Sequence, residues 1–138
     1  MKYSLDKNAY TPTRAYPTDA GLDLYSREAY LIKAKGNAIF DTGVHIELPP
    51  NTTGFIKSKS GLNVKHGNTG EGVIDYGYTG SIVVKLYNNS DKDYLVKVGD
   101  KIAQLVILPI LTPTLELVDR LAEPDNGRGK NGFGSSGR

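Results

Sequence analysis

The 138-residue chain reads as a single all-β domain, a sandwich or barrel, on three observations. Short β-type segments recur along it, each closed by turn residues. No window carries a sustained helical period. The length leaves room for one hydrophobic core but not two, burying about two-thirds of the surface that the unfolded chain exposes.

Taken in order, the expected strands are 29–33, 38–48, 53–58, 80–87, 94–98, 101–108 and 114–118. The first carries Tyr30-Leu31-Ile32 and stops at Lys35-Gly36-Asn37. The second runs into Pro49-Pro50-Asn51, which can neither extend nor pair it. Phe55 and Ile56 mark the third, and Ile82-Val83-Val84 the fourth, which ends at Asn88-Asn89-Ser90-Asp91. Val98-Gly99-Asp100 separates the fifth from the sixth, and Leu115 and Leu117 alternate with polar residues in the seventh. One or two helical turns are expected from near Ser60 to Gly67. Residues 1–124 form the expected β core. Pro124-Asp125-Asn126-Gly127 then releases the chain into a flexible glycine-rich arm, 125–138.

The run Ile102 to Leu108 is apolar on both faces. Burial from two sides follows, in an ordinary sandwich core or about an axis shared by several copies. Gln104 interrupts that run and needs hydrogen-bond partners if buried.

Charge and composition narrow the function. Seventeen basic against fifteen acidic residues, net +2, exert no general pull toward nucleic acid or a membrane surface, so phosphate recognition must be local. The absence of cysteine excludes disulfides and thiolate metal sites, and two histidines are too few for most zinc arrangements. The N-terminal Met1-Lys2-Tyr3-Ser4-Leu5-Asp6 has no apolar signal region, and the expected setting is cytoplasmic.

Five segments carry candidate chemistry. Asp23, in Asp19-Ala20-Gly21-Leu22-Asp23, is either a turn or pairing residue or a functional acid. Ser58-Lys59-Ser60-Gly61-Leu62 opens the helical turn, as a phosphate cradle of amides, hydroxyl and cation or as a plain Ser N-cap. Asp75, after Gly72-Val73-Ile74 and before Tyr76-Gly77-Tyr78-Thr79-Gly80, sits at a strand end where it either orients a water or caps a hairpin. Gly99-Asp100-Lys101-Ile102-Ala103-Gln104 feeds a buried strand. In the arm, Arg128, Lys130 and Arg138, the hydroxyls of Ser135 and Ser136, and Phe133 between glycines provide donors for phosphate and a flat face for a base.

In this order, from Ala20 to Gly137, the five segments resemble the five motifs of the trimeric dUTP pyrophosphatase (dUTPase) family. The resemblance implies a β jelly roll, a homotrimer with active sites built from three chains, and hydrolysis of dUTP to dUMP and pyrophosphate with Mg²⁺ carried by the triphosphate. It makes Asp75 the acid that orients the attacking water at the α-phosphate. Tyr78 becomes the ring that leaves no room for a 2′-hydroxyl. Lys59, Ser60, Gly61 and Gln104 become phosphate-side groups, with Ser60 and Gln104 beside the reaction. Arg128, Ser135 and Ser136 become γ-phosphate donors in the arm, and Phe133, flanked by Gly134, the ring over uracil. Asp23 is expected to act through waters near the metal. Gly72, Val73 and Ile74 would present backbone groups to uracil, with Asn68 a candidate for its edge.

Three departures from the family pattern stand out: Lys59 and Thr79 occupy positions usually held by Arg, and the segment between His66 and Gly72 is short. Two rivals remain at this stage. A deoxycytidine triphosphate deaminase of the same fold would need a glutamate near the base, where Glu71 is the only acid. A nucleotide-gated binding protein would use the arm as a switch for a protein partner.

Overall fold

The computed structural model describes residues 1–122. It holds eleven strands and one short helix among those residues. The strands are β1 (Lys2–Leu5), β2 (Gly21–Tyr25), β3 (Tyr30–Ile32), β4 (Asn37–Asp41), β5 (Val44–Glu47), β6 (Thr52–Lys57), β7 (Asn68–Thr69), β8 (Gly72–Ile74), β9 (Val83–Asn88), β10 (Tyr94–Val96) and β11 (Lys101–Pro109). The helix, α1, spans Ser60–His66.

All strand pairing is antiparallel. The largest sheet has the order β2-β11-β6-β8, and a second runs β4-β9-β7; β1 pairs with β5, and β10 with β3. One core joins them. Leu24, Ile32, Phe40, Val44, Ile56, Ile82, Val84, Leu86, Val96, Ile102 and Leu105 are all within a few per cent of complete burial. The alternation that places them inside is plain in β4 and β9, where buried and exposed residues follow one another along the strand. Each large aliphatic or aromatic side chain so buried contributes about 1.5–3 kcal/mol.

The expected all-β domain is present, with three differences in its elements. The continuous 38–48 strand is broken at Thr42-Gly43, where Gly43 has φ 65° and turns β4 into β5. The expected strand 114–118 does not form; residues 110–118 have no strand pairing. Its alternating leucines are almost fully exposed, Leu115 at 93% and Leu117 at 100%. A strand needs a neighbour, and the described chain supplies none there. Strands β1 and β2 were not expected, because each is short and mixes polar or glycine residues with its apolar ones; β7 and β8 fall in the segment where a hairpin leading to Asp75 was expected.

The helix matches its expected span. Gly67 ends it in the left-handed conformation, φ 65°, which glycine adopts without a Cβ penalty. Its N-cap position is Lys59, with no side-chain capping bond, so the plain Ser N-cap reading fails. Among the described residues no helix is long and apolar enough to cross a membrane.

Candidate active site

Asp23 lies on β2, directly opposite Gln104 of β11, which in turn faces Lys57 at the end of β6. Three adjacent strands of the large sheet, β2, β11 and β6, thus bring three of the sequence segments to one place. Asp23 is nearly buried, and both carboxylate oxygens are engaged: Lys59 Nζ donates to Oδ1 at 2.5 Å and Lys101 Nζ to Oδ2 at 2.7 Å. Burial pushes the Asp23 carboxyl up, but the hydrogen bonds and charges of the two lysines outweigh it and hold the group below the usual carboxylate range. Lys101 is raised by the same pairing.

Gln104 Nε2 donates to the Ser58 carbonyl at 3.1 Å, which meets the requirement that a polar residue within an apolar run find a partner. Gly21 makes room for it, since a Cβ there would strike the Gln104 amide. Ser58 also ties the next loop down: its hydroxyl donates to the Gly70 carbonyl at 3.2 Å and accepts from the Gly70 N–H at 3.0 Å. Beyond it, Ser60 and Gly61 are exposed at the start of α1, and a Cβ added at Gly61 would meet open space. The chain's own packing therefore does not demand a glycine there.

The second centre is the turn after β8. Asp75 is exposed at its start, and the Tyr78 N–H donates to the Asp75 carbonyl at 3.1 Å. Gly77, at φ 87°, allows the reversal. The Tyr78 hydroxyl donates to the Ser81 carbonyl at 3.0 Å, so the ring is held at both ends. Val73, Ile74, Asp75, Tyr78, Ser81 and Val83 line an open cleft of about 330 Å³. Another, of about 470 Å³, lies on the other flank of the same turn, against Met1, Lys2 and Glu47.

The two centres stand apart within one chain. Ile74 pairs with Gly54 and Gly72 with Ile56, so Asp75 lies beyond the Thr53 end of β6 while Lys59 follows its Lys57 end. Four residue steps along β6, from Thr53 to Lys57, separate those ends, about 13 Å at the rise of a β-strand. Asn68 is fully buried on β7, with its Oδ1 unpartnered, and reaches neither centre's surface. The Glu71 carboxylate is taken by Lys57 at 2.9 Å. Arg128, Phe133, Gly134, Ser135 and Ser136 lie outside the described residues.

Sequence reasoning missed Lys101 as a partner of Asp23, because the contact is made across strands, and gave His45 no role. His45 Nδ1 lies 2.8 Å from the carbonyl of Thr79 in the Asp75 turn. The one available signal for it was a histidine alternating with buried residues in Val44-His45-Ile46.

The dUTPase family model matches residues 7–137. The deoxyuridine 5'-triphosphate nucleotidohydrolase of Yarrowia lipolytica is 42% identical over 134 residues, covering 96% of this chain and 85% of the relative. Among solved structures, the dUTPase of Staphylococcus bacteriophage 80alpha with dUPNHPP superposes with a TM-score of 0.91 at 31% identity, covering 99% of this chain and 98% of that one. A mutant dUTPase from phage phi11 of S. aureus, described as revealing the coordination of a structural Mg(II) ion, gives a TM-score of 0.81 at 30% identity, covering 87% of this chain and 97% of that one.

Proposed function

The chain belongs to the dUTPase family and is a dUTP diphosphatase, and we propose that Asp75 orients its attacking water and that each site is completed by neighbouring copies in a homotrimer. The observation that carries this reading is the placement of Asp75 and Tyr78 in one cleft with Val73 and Ile74, about a strand's length from the Lys59 and Gln104 cluster of the same chain. A second copy would bring the two centres onto one triphosphate more closely than a single chain does. The leucines exposed between 111 and 121 suit the same assembly, since they lack cover among the described residues.

The geometry supports further roles in this reading. Strand β8 is the edge of its sheet, so the backbone groups of Gly72, Val73 and Ile74 on its outer side suit the alternating donors and acceptors of the uracil edge. That leaves the buried Asn68 a structural part. The Tyr78 ring, anchored through its hydroxyl, suits the face of deoxyribose and the exclusion of a 2′-hydroxyl. Lys59, Ser60, Gly61 and Gln104 would serve the phosphate side, where phosphoryl transfer needs positioning and charge neutralisation more than a strong base. Lys59 supplies a point charge rather than a bidentate fork. Arg128, Ser135, Ser136 and Phe133, with its neighbour Gly134, complete the reading from the arm, closing on γ-phosphate and base. A cytoplasmic setting belongs to the same proposal.

The residues present suit Mg²⁺ arriving on the substrate rather than resident in a protein cage. Among the described residues no three histidines, cysteines or acids gather as a metal site, and Asp23 is a single carboxylate already bonded to two lysines. Asp23 would meet such an ion through water, and the bound ion would supply neutralisation of phosphate charge.

One incubation series tests the reading. With Mg²⁺, the wild type should release pyrophosphate from dUTP and no ammonia from dCTP. Asp75→Asn should lower kcat by roughly 10² to 10⁴ with nucleotide affinity kept; near-normal turnover would remove Asp75 from the mechanism. Tyr78→Ala should narrow the preference for dUTP over UTP, and an unchanged ratio would argue against ring exclusion.

A further inference from the structure

Each ring nitrogen of His45 faces an oxygen from a different part of the chain. Nδ1 lies 2.8 Å from the Thr79 carbonyl, at the far end of the Asp75 turn, and Nε2 lies 3.1 Å from Asp6 Oδ1, just past β1. A backbone carbonyl can only accept, so Nδ1 carries a proton; an ionised carboxylate can only accept as well. Only the doubly protonated ring donates at both ends. In the neutral ring that keeps the Thr79 bond, the Nε2 lone pair points at the Asp6 carboxylate.

The surrounding charges favour the same form. Arg27, from the loop after β2, lies 3.5 Å from Asp6 and 2.8 Å from Asp41 of β4. Two carboxylates thus share one guanidinium, and the imidazolium supplies the second positive charge. Lys2 and Glu47, which border the same groove, pair with each other at 3.2 Å. Asp41 also accepts from the Ser81 hydroxyl, and the Ile82 N–H donates to Val44 at 2.8 Å, so the chain after the turn is fastened to β4 and β5. Thr79 is where that fastening reaches the turn itself, through His45.

We propose that His45 is a positioning residue whose protonated ring holds the Thr79 end of the turn against β5, fixing Asp75 and Tyr78 in the cleft, and whose deprotonation loosens them. The proposal rests on the reading of Asp75 and Tyr78 as site residues. The hydrogen bond to Thr79, then the one to Asp6, raises the His45 pKa above its ordinary value of 6.5. A raised pKa means the hold is complete below the ordinary histidine value and is lost as pH rises through the folded-state value. Turnover should therefore fall on the alkaline side.

The test measures kcat and KM against pH for the full chain, while NMR follows the ring C–H signals of its two histidines, His45 and His66. Wild-type kcat should drop roughly tenfold as His45 deprotonates, short of the ~10² that a 1 Å misplacement costs. His45→Gln should remove this alkaline fall, and His66→Gln should keep it. Asp6→Asn lets a neutral ring accept from the new amide while Nδ1 still donates to Thr79, so it should move the ring titration to lower pH and abolish the alkaline fall in kcat. An alkaline fall unchanged in His45→Gln, or one that persists in Asp6→Asn, would overturn the proposal. Asp75→Asn run alongside separates the two claims: near-normal turnover there removes the premise, whereas an inactive Asp75→Asn with an unmoved pH profile in His45→Gln removes only the role of His45.

Discussion

Asp23 shows how a residue with an ambiguous sequence context acquires one definite environment. Its strand neighbour Leu24 is fully buried, and the pleat would carry Asp23 to the opposite face, where two lysines meet it. Because its folded-state pKa is lowered, Asp23 contributes stability that is present above its unfolded value and lost as pH falls through the folded one. Asp23→Asn should therefore lower stability at neutral pH by about 1–2 kcal/mol, the usual cost of breaking a buried pair being discounted because both lysines are partly exposed. The difference from wild type should shrink in strong acid. Urea unfolding at pH 7 and pH 3 measures it; an equal deficit at both would mean that shape, not charge, is what Asn lacks. The sequence marked Asp23, Lys59 and Gln104 as residues of interest, but their convergence is a matter of register between β2, β11 and β6. Lys101 was illegible for the same reason, since no local spacing announces a partner across a sheet.

Among the elements, those with long apolar alternation and firm punctuation were the legible ones. Strands β4, β9 and β11 and the end of α1 at Gly67 fall where alternation, turn residues and glycine place them. Strand β2 was hidden because Gly21 and Asp23 interrupt its apolar residues, and its pairing is made by the strand beside it. The segment 114–118 errs the other way: its pattern is that of a strand, yet pairing is a property of two segments and only one is here. Deleting residues 123–138 should leave the β core folded, with an unchanged far-ultraviolet spectrum and a cooperative thermal transition, while turnover falls by roughly 10² or more through loss of the groups that position base and γ-phosphate. Retained turnover would move the phosphate donors out of the arm and into the core.

At the scale of the whole molecule, the separation of the two centres along β6 makes a quantitative claim about assembly. On the proposed reading, Asp75→Asn disables one centre and Lys59→Ala weakens the other, and in the proposed homotrimer each parent would carry its defect at every site. If a site takes Asp75 from one copy and Lys59 from another, refolding the two variants together in equal amounts produces some sites with neither defect. With random mixing, half the sites receive an intact Asp75 and half of those an intact Lys59, so activity should recover to about a quarter of wild type. The assay is run at low dUTP, where the weaker binding of the Lys59→Ala parent is fully felt. If both groups came from one chain, every site in every mixed trimer would keep a defect and no recovery would follow. Mixed trimers confirmed by mass but no more active than the average of their parents would therefore place Asp75 and Lys59 in the same chain's site, and β6 would have to be bridged by the substrate alone.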